Sequence, residues 1–173
     1  MMKKFCIIIF LLFIGLTTQS QAYECHFDKI KIGATQEDFQ KIGIAAGGQD
    51  EFGGFHGIFF PEQLCKNSEG INTMVIQLFF LKNKLVKISY ENSLNDKLVL
   101  FNIAENIYKV KLEKNKAKSI KNESEIYTVT KGNNFFFYAL IKNGNEKNEY
   151  LEIMTSKERE KIDEYFLKME EAR

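Results

Sequence analysis

Apolar residues recur along this chain with two distinct periods. From Asn72 they alternate, with Met74, Ile76, Leu78 and Phe80 on one face and Val75, Gln77, Phe79 and Leu81 on the other. Both faces are largely apolar, the pattern of a central strand. After a tight turn at Lys82-Asn83-Lys84 the chain returns with Val86, Ile88 and Tyr90 against Lys87, Ser89 and Glu91, a half-buried alternation that predicts a hairpin. Residues Ile126–Thr130, Asn134–Lys142 and Glu149–Met154 predict three further strands, joined by the turn segments Lys131-Gly132-Asn133 and Asn143-Gly144-Asn145-Glu146-Lys147.

Other stretches follow the helical period. Thr35-Gln-Glu-Asp38 reads as a capping box opening a short helix over about residues 36–43, with Phe39 and Ile42 on its apolar edge and Gly43 at its end. Asn95 or Asp96 opens a second helix reaching about Val110, with Leu100, Ile103, Ala104 and Ile107 on a broad apolar arc. Thr155-Ser-Lys-Glu158 is another capping box, starting a terminal helix whose Ile162, Tyr165, Phe166 and Met169 fall at i, i+3, i+4 and i+7. Residues 47–57 concentrate glycine and read as a loop or tightly turning connection. Within them no P-loop or dinucleotide spacing is present.

The order helix, strands, helix, strands, helix predicts an α+β fold, an antiparallel sheet with helices packed on it. Residues 23–92 and 93–173 form two halves of one compact domain, each a helix followed by three strands. Residues 55–60 supply the third strand of the first half, ended by Pro61.

With 173 residues, 45% of them hydrophobic and 27% charged, the composition excludes a collagen-like, low-complexity or strongly disordered chain. A formal charge of +1 gives no bulk field to recruit nucleic acid. At the N-terminus Lys3 and Lys4 precede the apolar run Phe5 to Leu16 and then Ser20-Gln21-Ala22, the layout of an export signal (residues 1–22) cleaved after Ala22. The run is shorter than the roughly 20 residues a membrane-spanning helix needs. An uncleaved N-terminal anchor is the alternative. The expectation is a periplasmic or secreted protein with no stable membrane span.

Cleavage removes Cys6 and leaves Cys25 and Cys65 in an oxidising compartment, where a disulfide is the natural reading. Closing a loop of about 40 residues would stabilise the fold by roughly 4 kcal/mol on the chain-entropy model. The competing readings are a metal site using Cys25 and His26, which lacks the usual ligand spacing, and a catalytic thiol at Cys65.

Ile30-Lys-Ile-Gly33-Ala-Thr35-Gln-Glu-Asp-Phe39-Gln-Lys-Ile-Gly43, followed by Phe80-Leu81-Lys-Asn-Lys-Leu85-Val-Lys-Ile88, resembles the opening helix and return hairpin of the BamE-like (SmpA/OmlA) envelope proteins and the related beta-lactamase-inhibitor-protein fold. The resemblance covers about residues 30–91. It implies a role in holding a protein partner and no catalysis. Cys25 follows Ala22-Tyr23-Glu24, a poor lipobox, and this departs from the lipoprotein members of that family.

Catalytic constellations are absent from the sequence. His26 and His56 are the only histidines, too few for a histidine-based metal cluster, and no metal or cofactor is expected. No serine sits in a nucleophile elbow. Phe52, Phe55 and His56, in the glycine-rich connection, are candidates for contacting a protein partner, or else for covering the sheet. Lys109, Lys111, Lys114, Lys116, Lys118 and Lys121 form a basic run, either a solvated helix end or a docking surface.

The leading expectation is a non-enzymatic inhibitor, immunity protein or envelope-assembly accessory that binds another protein. The rivals are an envelope hydrolase built around His56 and carboxylates, and a lysine-driven binder of anionic lipid or polymer.

Overall fold

The computed structural model describes residues 25–44, 47–68, 70–93, 98–114, 124–144 and 146–172. The export signal, Cys6, Asn95, Asp96, Lys116, Lys118 and Lys121 lie outside the described residues. The strands are β1 (Gly54–Phe59), β2 (Met74–Leu81), β3 (Lys84–Ser93), β4 (Glu113–Lys114), β5 (Glu125–Lys131), β6 (Asn134–Asn143) and β7 (Glu146–Thr155). The helices are α1 (Gln36–Gln40), α2 (Pro61–Leu64), α3 (Val99–Asn106) and α4 (Arg159–Glu171), preceded by a 3-10 turn over His26–Lys29.

The alternating segments join one antiparallel sheet in the order β1-β2-β3-β7-β6-β5-β4. Two meanders, β1-β2-β3 and β5-β6-β7, therefore meet through their last strands, with Ile88 opposite Ile153 and Tyr90 opposite Leu151. The α+β class is as the sequence predicts. Two elements are added to the helix-plus-three-strand order: α2 between β1 and β2, and the two-residue β4. Pro61 ends β1 and then serves as a first-turn residue of α2, where its missing amide hydrogen is harmless. The glycine-rich connection also ends sooner than expected, because residues 54–57 already belong to β1.

One face of the sheet carries the main core. Phe27, Phe39, Leu64, Leu100 and Ile103 from the turn and helices pack on Ile76, Leu78, Ile88, Leu151 and Ile153. Cys25 and Cys65 form the expected disulfide, which fixes the first turn to the end of α2. The disulfide fits an exported protein, and no helix among the described residues is long and apolar enough to cross a membrane.

Inside this core lies one carboxylate. Glu149 on β7 is 4% exposed and accepts hydrogen bonds from the first amides of α3, Val99 (2.8 Å), Leu100 (3.2 Å) and Phe101 (3.3 Å). Tyr138 on β6 donates to it at 2.9 Å and Asn92 on β3 at 3.5 Å. The residue before α3, Leu98, makes no side-chain cap, so Glu149 does that work from another strand.

Three expected boundaries move. The described part of the second helix starts at Val99 and ends at Asn106, short of Val110. Tyr108 leaves the helix to bond the Tyr90 hydroxyl (2.7 Å), Lys109 turns to φ 55°, and Lys131 donates to the Tyr108 and Lys109 carbonyls. The capping box at Thr155 does not form, because Thr155 stays buried in β7 and Glu158 pairs with Lys161. Val86 leaves the Ile88–Tyr90 face, because the register slips between Phe79 opposite Lys87 and Phe80 opposite Leu85, a bulge that turns Val86 to the other side.

The first capping box does form: Thr35 and Asp38 bond reciprocally, and these bonds, the Thr35 amide first, hold the Asp38 carboxyl at about 2. The turn between β2 and β3 adds to it. Asn83, at φ 63°, accepts from the Gln36 amide (3.3 Å) and donates to Glu37 (3.0 Å), so the hairpin tip also caps α1. Asn83→Gly keeps the left-handed turn and loses only the cap, an expected cost of about 1 kcal/mol, whereas Asn83→Ala adds backbone strain for about 2–3 kcal/mol in all. Urea unfolding of the two variants separates these contributions.

Candidate functional site

The glycine-rich connection divides its aromatics between the two faces of the sheet. Phe55 points into the main core and lies 5.8 Å from the Phe80 ring. A Cβ at Gly47 would overlap the Phe55 ring, which is why glycine stands there. Phe52 is half-buried against a second, smaller cluster. His56 alone of the three candidate binding residues is exposed, stacked on Phe79 at 4.3 Å. Phe52 and Phe55 thus cover apolar surface, and His56 lies on the opposite face of the sheet from Phe55.

Among the described residues that opposite face is covered at one corner only. Ile162 and Tyr165 of α4 pack on Phe79, Leu81 and Val86. The Tyr165 hydroxyl donates to Asp50 at 2.5 Å, and Asp50 also accepts from the Phe52 and Gly54 amides at 2.9 and 2.8 Å. Burial and the carboxylate push Tyr165 up to about 12. Partial desolvation works against ionised Asp50, yet the bonds from Tyr165, Gly54 and Phe52 hold it below its usual range. Any Cβ at Gly54 would collide with the Tyr165 ring, so glycine is what lets α4 lie directly on β1.

Beyond α4 the strand registers define an open grid of side chains. Ile58, Gln77, Ser89, Glu152 and Phe137 form one row across β1, β2, β3, β7 and β6. Val75, Glu91, Tyr150, Ala139 and Ile126 form the next. A shallow hollow of about 440 Å³ lies in this grid, floored by Phe137, Ala139 and Tyr150. Its charged groups are already partnered: Lys87 with Glu152 at 2.5 Å, and Glu91 accepting from Tyr150 at 3.2 Å. Of the large hydrophobics exposed among the described residues, Ile58 stands in this grid, Phe166 lies against His56 and Phe79 beside it, and Ile141 lines the hollow. Such clustering on one face marks an interaction surface more than a chance scatter would.

Chemistry finds little support in the same region. The hollow beside His56 brings Tyr165, Phe166, Met169 and one carboxylate, Glu170. The other acidic pairs are used locally, Glu37 by Asn83 and Asp38 by Thr35 and Lys41. His26 sits in the turn beside the disulfide, and no group of ligands that would hold a metal ion is present among the described residues. Of the lysine run, Lys109 and Lys111 are exposed and Lys114 lies in β4, its backbone opposite Tyr127.

Partial desolvation against Phe79 and the α4 aromatics lowers His56 from the ordinary 6.5, with Asp50 opposing and Lys87 reinforcing the shift. A histidine depressed in the folded state stabilises above its unfolded value and loses that contribution as pH falls. The thermal midpoint should therefore drop between pH 7.5 and 5.5, and by less in His56→Phe. Equal drops in the two proteins would remove His56 as the cause.

No protein-family model, no curated protein and no solved structure matches this chain, so its geometry alone carries the functional reading.

Proposed function

We propose that the chain is an exported, non-enzymatic module that binds another protein through the open face of its sheet, with His56, Ile58 and the outer side of α4 at one end and Ile141 at the other. The observation that carries this reading is the uncovered, partly apolar face beside an edge strand, β1, that pairs on one side only. Its sequence, Gly-Phe-His-Gly-Ile-Phe, has neither the charge nor the proline that usually protects an edge.

Size agrees with the reading. Six strands at about 4.8 Å and some eight residues at about 3.4 Å make a face on the order of 800 Å². One partner of a standard interface contributes about that much. Because α4 occupies one corner, its outer residues Phe166 and Leu167 must be part of the contact. The resemblance of residues 30–91 to BamE-like and inhibitor-protein folds points the same way, toward an inhibitor or immunity protein of an envelope-acting enzyme or toxin, or an envelope-assembly accessory. Acting in the periplasm or outside the cell belongs to the same proposal.

Ile58 and Ile141 lie at opposite ends of the face and are 61% and 38% exposed, so charging them should not disturb the core. The immobilised chain should retain one stoichiometric partner from an envelope extract of its source cells. Ile58→Glu with Ile141→Glu should lose it at least tenfold, with the thermal midpoint kept within about 2 °C. Undiminished capture by the double variant would place the contact elsewhere.

A further inference from the structure

At the end of the sheet where β3 and β7 part, a second hollow opens. The pairing of these strands stops at Lys87 opposite Met154, and the space beyond is about 780 Å³. Ile32 gives its lining a partly exposed apolar side chain over the buried Leu85 and Phe136, and its rim carries Lys84, Lys131 and Lys157.

The three lysines come from β3, the end of β5 and the approach to α4, so the fold brings them together where the sequence does not. Five other described lysines are paired with acids, Lys41 with Asp38, Lys87 with Glu152, Lys142 with Glu125, Lys161 with Glu158 and Lys168 with Glu164; what distinguishes Lys84, Lys131 and Lys157 is that they converge on one hollow. Lys84 and Lys157 make no ion pair among the described residues. The one carboxylate on the rim, Glu158, is held by Lys161 at 2.6 Å and also lies within electrostatic reach of Lys84. Lys131 is fixed in place by the Tyr108 and Lys109 carbonyls at 3.2 and 2.9 Å, neutral acceptors that leave its charge uncancelled. Asn133 and Asn134 add amide groups to the rim.

We infer that this hollow binds a small organic carboxylate with an apolar tail. The lysines supply the attraction for the anion, and the partly exposed Ile32 with the aliphatic stems of the lysines receives the tail above the buried Leu85 and Phe136, the combination of apolar lining and few placed polar groups that small-molecule sites use. Neither half suffices, since exposed lysines alone are screened by salt and an apolar lining alone gives no preference for charge.

The test is amide NMR of the exported chain titrated with octanoate, against octanol, which has the tail without the charge, and inorganic phosphate, which has charge without a tail. Octanoate should shift the amides of Gly33, Gly132 and Asn133 and bind about tenfold more tightly than either control. Lys84→Gln with Lys157→Gln, or 0.5 M sodium chloride on the unaltered protein, should weaken it about tenfold. Octanol binding as tightly as octanoate, shifts confined to other residues, or affinity insensitive to salt would each overturn the inference. The salt series decides the question even where the double variant fails to fold.

Discussion

A single buried carboxylate holds this fold together at its centre. Glu149 lies on β7, the strand through which the two meanders meet, and its oxygens take the opening amides of α3, the Tyr138 hydroxyl of β6 and the Asn92 amide of β3. Withdrawing a carboxylate from water costs several kcal/mol, whereas each hydrogen bond to a charged group returns about 1.5–3 kcal/mol. The positive end of the α3 dipole contributes in the same direction. The arrangement is favourable only while all donors are present, so one side chain makes three strands and a helix depend on one another.

Once α3 is tied to that face, the division of labour between the two sides of the sheet follows. The first turn, α1, α2 and α3 all cover one side, with the disulfide and the Asn83 cap fixing the first half of the cover. Among the described residues only α4 remains for the other side. It reaches one corner, where Gly54 admits the Tyr165 ring and Asp50 holds its hydroxyl. The face left open among the described residues therefore follows from Glu149 committing α3 to the same side as the first turn, α1 and α2, and the binding reading rests on that imbalance.

Much of this was visible in the linear pattern. The alternation from Met74 to Tyr90 predicts the hairpin, and the Thr35–Asp38 spacing predicts a helix start that forms as written. What escaped depends on contacts distant in sequence. Glu149 looks like any polar member of an alternating strand, and nothing near Val99 announces that its cap comes from 50 residues away. The bulge at Val86 arises from pairing between strands and leaves no local mark. The binding candidates were partly recoverable: once residues 54–59 are treated as a strand, period two puts Phe55 and His56 on opposite faces, but the glycines around them signal a loop more strongly than the alternation signals a strand. Those glycines are there for close packing against Phe55 and Tyr165.

The most direct measurement is native-state hydrogen exchange of the unaltered chain and of Glu149→Gln, with the global stability of each from urea unfolding. If Glu149 is the common anchor, the variant loses about 2–4 kcal/mol. In it the Val99, Leu100 and Phe101 amides then open at lower free energy than the β2–β3 amides, whereas in the unaltered chain they open together. A variant within about 0.5 kcal/mol of the original, with α3 still as protected as the central strands, would contradict the account.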